Sequence, residues 1–169
     1  LAVAVGAADA LEGLGVRDVA LKWPNDLLFE GRKLGGILAE ATSVQGTVRF
    51  VVVGFGINVL TSSYPPDVTL RATSIEAETG RRFDRGTVLV ACLDALEARY
   101  RAFERSDTRE IVAAWRSRAR PHLARSVRWS ADGRSHLGTA MDIDDDGALV
   151  VESDAGPVRI SSGEVQWLT

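Results

Sequence analysis

Residues 21–40 read LKWPNDLLFEGRKLGGILAE, and the way they alternate decides the fold. Val19, Leu21 and Trp23 alternate with Ala20 and Lys22, which predicts a short strand that buries Trp23 and turns Lys22 to the opposite face. Pro24, Asn25 and Asp26 are turn residues. Leu27 to Phe29 is a second apolar run, Glu30-Gly31-Arg32 a turn, and Lys33 to Glu40 another strand. Unbroken alternation puts Lys33, Gly35, Ile37 and Ala39 on one face, with Leu34, Gly36, Leu38 and Glu40 on the other. Glycine inside a strand marks a bulge or a close approach. Gly35 therefore reads in two ways: as bare floor for an anionic small molecule whose charge meets Lys33, or as part of a bulged hairpin with a surface lysine.

Lys22 and Lys33 are the only lysines in the chain, against eighteen arginines. An ammonium is a compact point charge and a guanidinium a broad planar fork, so the choice of Lys twice within one hairpin points to a site that needs the smaller group. Downstream, Val48 to Val59 reads VRFVVVGFGINV, a long strand whose Gly54, Gly56 and Asn58 share a face. The two glycines leave a groove that ends in an amide able to donate and accept hydrogen bonds. A heterocycle or a tightly packed helix fits that groove equally well. The dinucleotide fingerprint fails because Val59 stands where its third glycine belongs, and no phosphate-binding P-loop motif occurs.

The remaining segments follow ordinary signals. Leu1 to Leu14 is an Ala-rich helix closed by Gly13 and Gly15. Thr61 to Arg71 is a loop, and Thr73 with Glu76 predicts a capping box for a short helix ending at Gly80. Asp84 caps a longer helix with an apolar stripe of Leu89, Cys92, Leu93, Leu96, Tyr100 and Phe103. A third helix starts near Asp107 and buries Ile111, Ala114 and Trp115. Nine arginines lie between Arg99 and Arg128, and without accompanying aromatic or glycine motifs they read as a solvated helix surface. From Arg125 on, turn signals at 131–133, 145–147, 154–156 and 161–163 separate five short strands, which predicts a small barrel. Asp142, Asp144, Asp146 and Gly147 begin like a calcium loop, but the twelfth position is Ser153 where a glutamate is required. His122 and His136 have no partners at metal-ligand spacing and read as surface or structural residues.

Composition sets the outer limits. With 169 residues and 46% apolar content the chain builds one or two ordinary cores. A net charge of −3 gives no general pull toward nucleic acid or an anionic membrane. The single cysteine, Cys92, reads as a reduced core residue. No run reaches the ~18 to 20 apolar residues of a membrane helix, and no secretion signal is visible. The expected location is cytoplasmic, with no membrane partner.

LKWPNDLLFEGRKLGGILAE closely resembles the signature of biotin protein ligases, a KWPND turn followed by a lysine-bearing KLxGIL strand. GFGINV at 54–59 resembles the glycine-rich strand of the same family, and the C-terminal stretch resembles its SH3-like domain. The resemblance implies an α+β fold in which a mixed sheet backed by helices, like that of class II aminoacyl-tRNA synthetases, occupies residues 1–121. A small SH3-like barrel then occupies 122–169. In the family a longer N-terminal part comes first, with a basic glycine-rich loop and a serine- or threonine-bearing strand. Neither occurs in this sequence, so a partial catalytic domain with weak or no activity of its own is expected.

The implied activity joins biotin to ATP with magnesium, forming biotinyl-5′-adenylate, and passes biotin to a lysine of a biotin carboxyl carrier domain. By position, Lys33 matches the key catalytic lysine, Lys33, Gly35, Gly36 and Gly56 the biotin side, and Lys22, Asn25, Asp26 and Asn58 the nucleotide side. Asp26 is the candidate contact for magnesium, while metal ligands as such stay unassigned. No nucleic-acid partner is implied for this segment, and a homodimer is left open. Two alternatives stand beside this reading: a lipoate ligase-like acyl transferase and a non-catalytic binding module.

Overall fold

The computed structural model describes residues 1–68, 70–105 and 108–168. Helix α1 (Ala2–Gly13) precedes strands β1 (Ala20–Lys22), β2 (Asp26–Phe29), β3 (Arg32–Val44) and β4 (Thr47–Ile57), which form one antiparallel sheet in that order. Helices α2 (Ile75–Thr79), α3 (Arg85–Glu104) and α4 (Thr108–Ala119) follow. Strands β5 (Arg125–Ala131), β6 (Arg134–Ile143), β7 (Leu149–Ser153), β8 (Gly156–Ile160) and β9 (Val165–Trp167) make a second antiparallel sheet in the order β8-β7-β6-β5-β9. The α+β class is as expected. In the first sheet the parallel component among the described residues is one bridge, Lys33 to Ala72. The second is an open sheet among those residues, with β8 and β9 at opposite edges, because three-residue β9 pairs only with β5.

The core explains why the elements stack this way. Val5, Ala8 and Leu11 of α1 are buried together with Leu21, Leu27, Leu34 and Trp115. Burial of such side chains, at about 25 cal/mol per Å² of apolar surface, is the main force holding helix to sheet. Several arginines of the 99–128 stretch have a structural purpose. Arg99 pairs with Asp9 of α1 and Glu110 of α4 at 2.8 Å each, and Arg118 reaches Asp9 at 2.7 Å and Glu12 at 2.9 Å. Arg116 meets Asp142 at 3.2 Å and the carbonyl of Ile143 at 2.6 Å, which ties α4 to the second sheet. Most of these counterions come from distant segments, Asp9 and Glu12 of α1 and Asp142 of β6.

Three sequence expectations change. Ser74, not Thr73, caps α2 by accepting from the Ala77 amide at 3.2 Å, and the Thr73 hydroxyl turns to Glu78 instead. Helix α3 buries Val88 and Cys92, whereas Leu89, Leu93, Tyr100 and Phe103 of its expected core stripe are about half exposed. The helix meets α1 where Gly6 lies against the backbone of Ala95 and Leu96 and Arg99 pairs with Asp9, a face rotated from part of the expected stripe. The Asp107 cap of the third helix lies outside the described residues, and that helix buries Ile111, Val112 and Trp115 with Ala114 only half-buried. Asp84 caps α3 as expected, accepting from the Thr87 amide at 3.1 Å.

Among the described residues no helix is long and apolar enough to cross a membrane. His122 is buried between the end of α4 and β1, and desolvation, with Arg125 and Lys22 nearby, holds its imidazole below the ordinary value of 6.5. The folded form therefore keeps His122 neutral at a pH where the unfolded chain takes up a proton. Its contribution is complete above about pH 6.5 and is lost as the pH falls below that value. Urea unfolding at pH 7.5 and 5.5 should show lower stability at 5.5, and the difference should shrink in His122→Gln.

Candidate functional site

Register across the first sheet builds the site. Lys22 pairs with Asp26, Asp26 with Gly36, and Gly36 with Gly56, so one row crosses all four strands. Directly opposed residues share a face, which puts two charged groups at one end of the row and two bare glycines at the other. The Asp26 carboxylate holds the Lys22 ammonium at 3.0 Å and the Lys33 ammonium at 2.5 Å. Two ammonium groups against one carboxylate leave one net positive charge.

Lys33 reaches this row through a bulge. Leu27 pairs with Gly35 but Leu28 pairs with Lys33, so Leu34 is an extra residue in β3. A bulge resets side-chain alternation. The expectation that Lys33 shares a face with Gly35 is thereby corrected: its ammonium lies beside Gly36, 3.5 Å from where a Cβ there would stand. Gly35 serves the backbone instead. A Cβ on it would lie 2.6 Å from the Gly56 carbonyl oxygen and 3.3 Å from Leu27. Gly54 and Gly56 have open space where a Cβ would go, so the groove expected in β4 is present.

The turn itself is fastened to β3 by Asn25. Its carbonyl accepts from the Ile37 amide at 2.9 Å, and its side-chain nitrogen donates to the Ile37 carbonyl at 2.6 Å. Asn58 has the same character. Its side-chain nitrogen donates to the Thr73 carbonyl at 2.9 Å and the Lys33 carbonyl at 3.3 Å. The Lys33 amide in turn donates to the Arg71 carbonyl at 2.7 Å, and the Thr73 amide to the Lys33 carbonyl at 2.9 Å. Asn58 thus commits both of its side-chain donors within the protein and Asn25 one of its two, and the side-chain oxygen of each is left as an acceptor for a ligand.

Lys33, Gly35, Gly36, Gly56 and Asn58 line a cavity of about 900 Å³, and Asn25, Lys33, Gly36, Gly54 and Gly56 a shallower one of about 430 Å³. Every residue expected at the site is therefore on or beside one continuous surface, with Lys22 and Asp26 at its far end. Sequence reasoning missed Arg71 and Arg85, which also line the larger cavity. With Lys33 they make three cations, and among the described residues no carboxylate lines that space. Isolated arginines in a loop and at a helix start carry no motif, so only the fold could select them.

Two family models match the chain: "Biotin/lipoate A/B protein ligase family" over residues 1–58 and "Biotin protein ligase C terminal domain" over 122–167. The chain belongs to the biotin protein ligase family. It is 32% identical over 168 residues to the bifunctional ligase/repressor BirA of Bacillus subtilis, covering 98% of this chain and 51% of that protein. The biotin–[acetyl-CoA-carboxylase] ligase of Mycobacterium tuberculosis is 35% identical over 151 residues, with 89% and 54% covered. The biotin protein ligase of Aquifex aeolicus in complex with biotin and ATP superposes with a TM-score of 0.81 at 26% identity, over 98% of this chain and 68% of that one. The chain spans about half the length of the curated relatives it matches.

The two kinds of glycine separate by stability. Gly35→Ala must push backbone aside and should cost about 1–3 kcal/mol, whereas Gly56→Ala enters open space and should stay within about 0.5 kcal/mol. Urea denaturation of the two variants measures the difference.

Proposed function

We propose that this chain carries the nucleotide- and carboxylate-handling part of a biotin–protein ligase. The observation that carries the reading is the Lys33 ammonium poised over the Gly36–Gly56 floor, with Asp26 as its only ion-pair partner among the described residues. In the first step a biotin carboxylate oxygen bonds to the α-phosphorus of ATP while the bond to the pyrophosphate oxygen breaks. Negative charge is crowded throughout, so a fixed ammonium at the meeting point is the largest single aid the protein can supply. Lys33 is assigned to that point, trading Asp26 for the incoming anions. In the second step a lysine amine of a carrier domain attacks the acyl carbon, adenosine monophosphate leaves, and the proton is lost to solvent.

Gly36 and Gly56 are assigned to the floor under biotin, with Gly35 keeping the two strands close beneath it. Lys22, Asn25, Asp26 and Asn58 are assigned to the nucleotide side, where both asparagines offer acceptor oxygens. In this reading residues 1–121 belong to the catalytic domain and 122–169 to the SH3-like domain, and the setting is cytoplasmic. Magnesium fits the protein's own donor set poorly. Asp26 is already shared by two ammonium groups, and the described residues form no cluster of three ligating side chains. Magnesium accordingly belongs to the nucleotide substrate here, and no step is assigned to it. The C-terminal match to a biotin ligase model favours biotin over lipoate.

In the complete polypeptide that carries these residues, Lys33→Ala should lower the rate of biotinyl-adenylate formation by roughly 10²- to 10³-fold, the scale for one lost transition-state donor. Lys33→Arg should recover little of it, because the fork does not fit a point-charge position. Near-normal turnover by the alanine variant would remove Lys33 from the mechanism.

A further inference from the structure

Trp23 joins the charged row to the second sheet. Its side chain is 4% exposed, and its indole Nε1–H donates to the Gly147 carbonyl at 3.1 Å. Its main-chain carbonyl accepts from the indole Nε1–H of Trp167 at 3.0 Å. The residue between Lys22 and Pro24 is thus held at side chain and main chain by groups 124 and 144 positions away. Trp167 is itself fixed, because it pairs with Val127 and the next amide, that of Leu168, donates to the Ser126 carbonyl at 2.9 Å.

The same sheet also faces the row. A cleft of about 520 Å³ has Lys22, Asn25 and Asp26 on one wall and Gly163, Glu164 and Val165 on the other. The segment that leads into β9 therefore borders the residues whose placement β9 secures. Without the Trp167 donor the Trp23 carbonyl loses its partner, and the turn that carries Asp26 is released at one end. Lys22 and Asp26 flank this turn and pair with each other, so a shift of the turn moves that pair, while the Lys33 backbone stays held by Leu28 and the Arg71–Thr73 segment.

We propose that Trp167 is a positioning residue for the nucleotide side of the site, acting through the Trp23 carbonyl to fix Lys22, Asn25 and Asp26. This inference rests on the ligase reading above. Trp167→Phe removes the N–H and keeps most of the aromatic volume. In the complete polypeptide the variant should raise KM for ATP roughly fivefold, the equivalent of one neutral hydrogen bond. KM for biotin should stay unchanged and the melting temperature should move by only a few degrees. A parallel rise of both KM values with a large loss of thermal stability would make Trp167 a core filler and overturn the proposal, as would an unchanged KM for ATP. If the unsubstituted polypeptide forms no biotinyl-adenylate, the ligase reading falls, and nitrogen-15 spectra of the 169-residue chain then decide the clamp alone. Trp167→Phe must displace the amide signals of Lys22, Asn25 and Asp26 while those of Leu38 to Val44 stay in place. Turn signals that do not move overturn the clamp.

Discussion

A single carboxylate between two ammonium groups holds the site together. Asp26 sits 3.0 Å from Lys22 and 2.5 Å from Lys33, on a turn pinned to β3 by Asn25. The Lys33 side chain is 53% exposed, and an ion pair in that setting is worth little in free energy, on the order of 0.2–1 kcal/mol. Weakness suits the task. In the proposed ligase role, an arriving carboxylate or phosphate replaces Asp26 as the partner of Lys33 without a large penalty, while Asp26 keeps Lys22. The excess positive charge of the cluster, together with Arg71 and Arg85, favours that exchange.

The rest of the first sheet makes this pairing reachable. Gly36 and Gly56 stand opposite one another next to Asp26, so two adjacent strands present backbone alone over roughly 5 Å, one interstrand spacing. The bulge at Leu34 sends that side chain into the core, where it is fully buried, and turns the next-door Lys33 out over the glycines. Bulges commonly re-aim a side chain at a site. The parallel bridge from Lys33 to Ala72 and the Asn58 amide then hold the Lys33 backbone from the other side. A flexible lysine side chain thus rises from a main chain that is fixed on every edge.

The second sheet is more than an appendage to this arrangement. Two indole hydrogen bonds and the Arg116 contacts to Asp142 and Ile143 couple it to the turn and to α4. Gly147 takes part from a tight turn, with φ of 89°, that brings its carbonyl to the Trp23 indole. The acidic run around it, which begins like a calcium loop but lacks its closing glutamate, is engaged by Arg116 and Arg159. Its carboxylates serve to close the β6–β7 turn.

Much of this was legible in one dimension. Period-two alternation located β1 to β4, turn residues located the five C-terminal strands, and the KWPND and KLGGIL stretches marked Lys22, Asn25, Asp26 and Lys33 as one neighbourhood. These are local signals, set by side-chain sterics and hydrogen bonding within a few residues. The sequence by itself therefore determined the element types, the glycine groove of β4 and the identity of the charged residues. Tertiary structure alone decided which face each one occupies. The Leu34 bulge exchanged the roles of Gly35 and Gly36, the packing of α3 against α1 left Leu89, Leu93, Tyr100 and Phe103 of its apolar stripe half exposed, and pairing between strands placed Asp26 between two lysines. Each outcome depends on register or on contacts between segments far apart in the chain, and a one-residue slip reverses a face without changing any local preference.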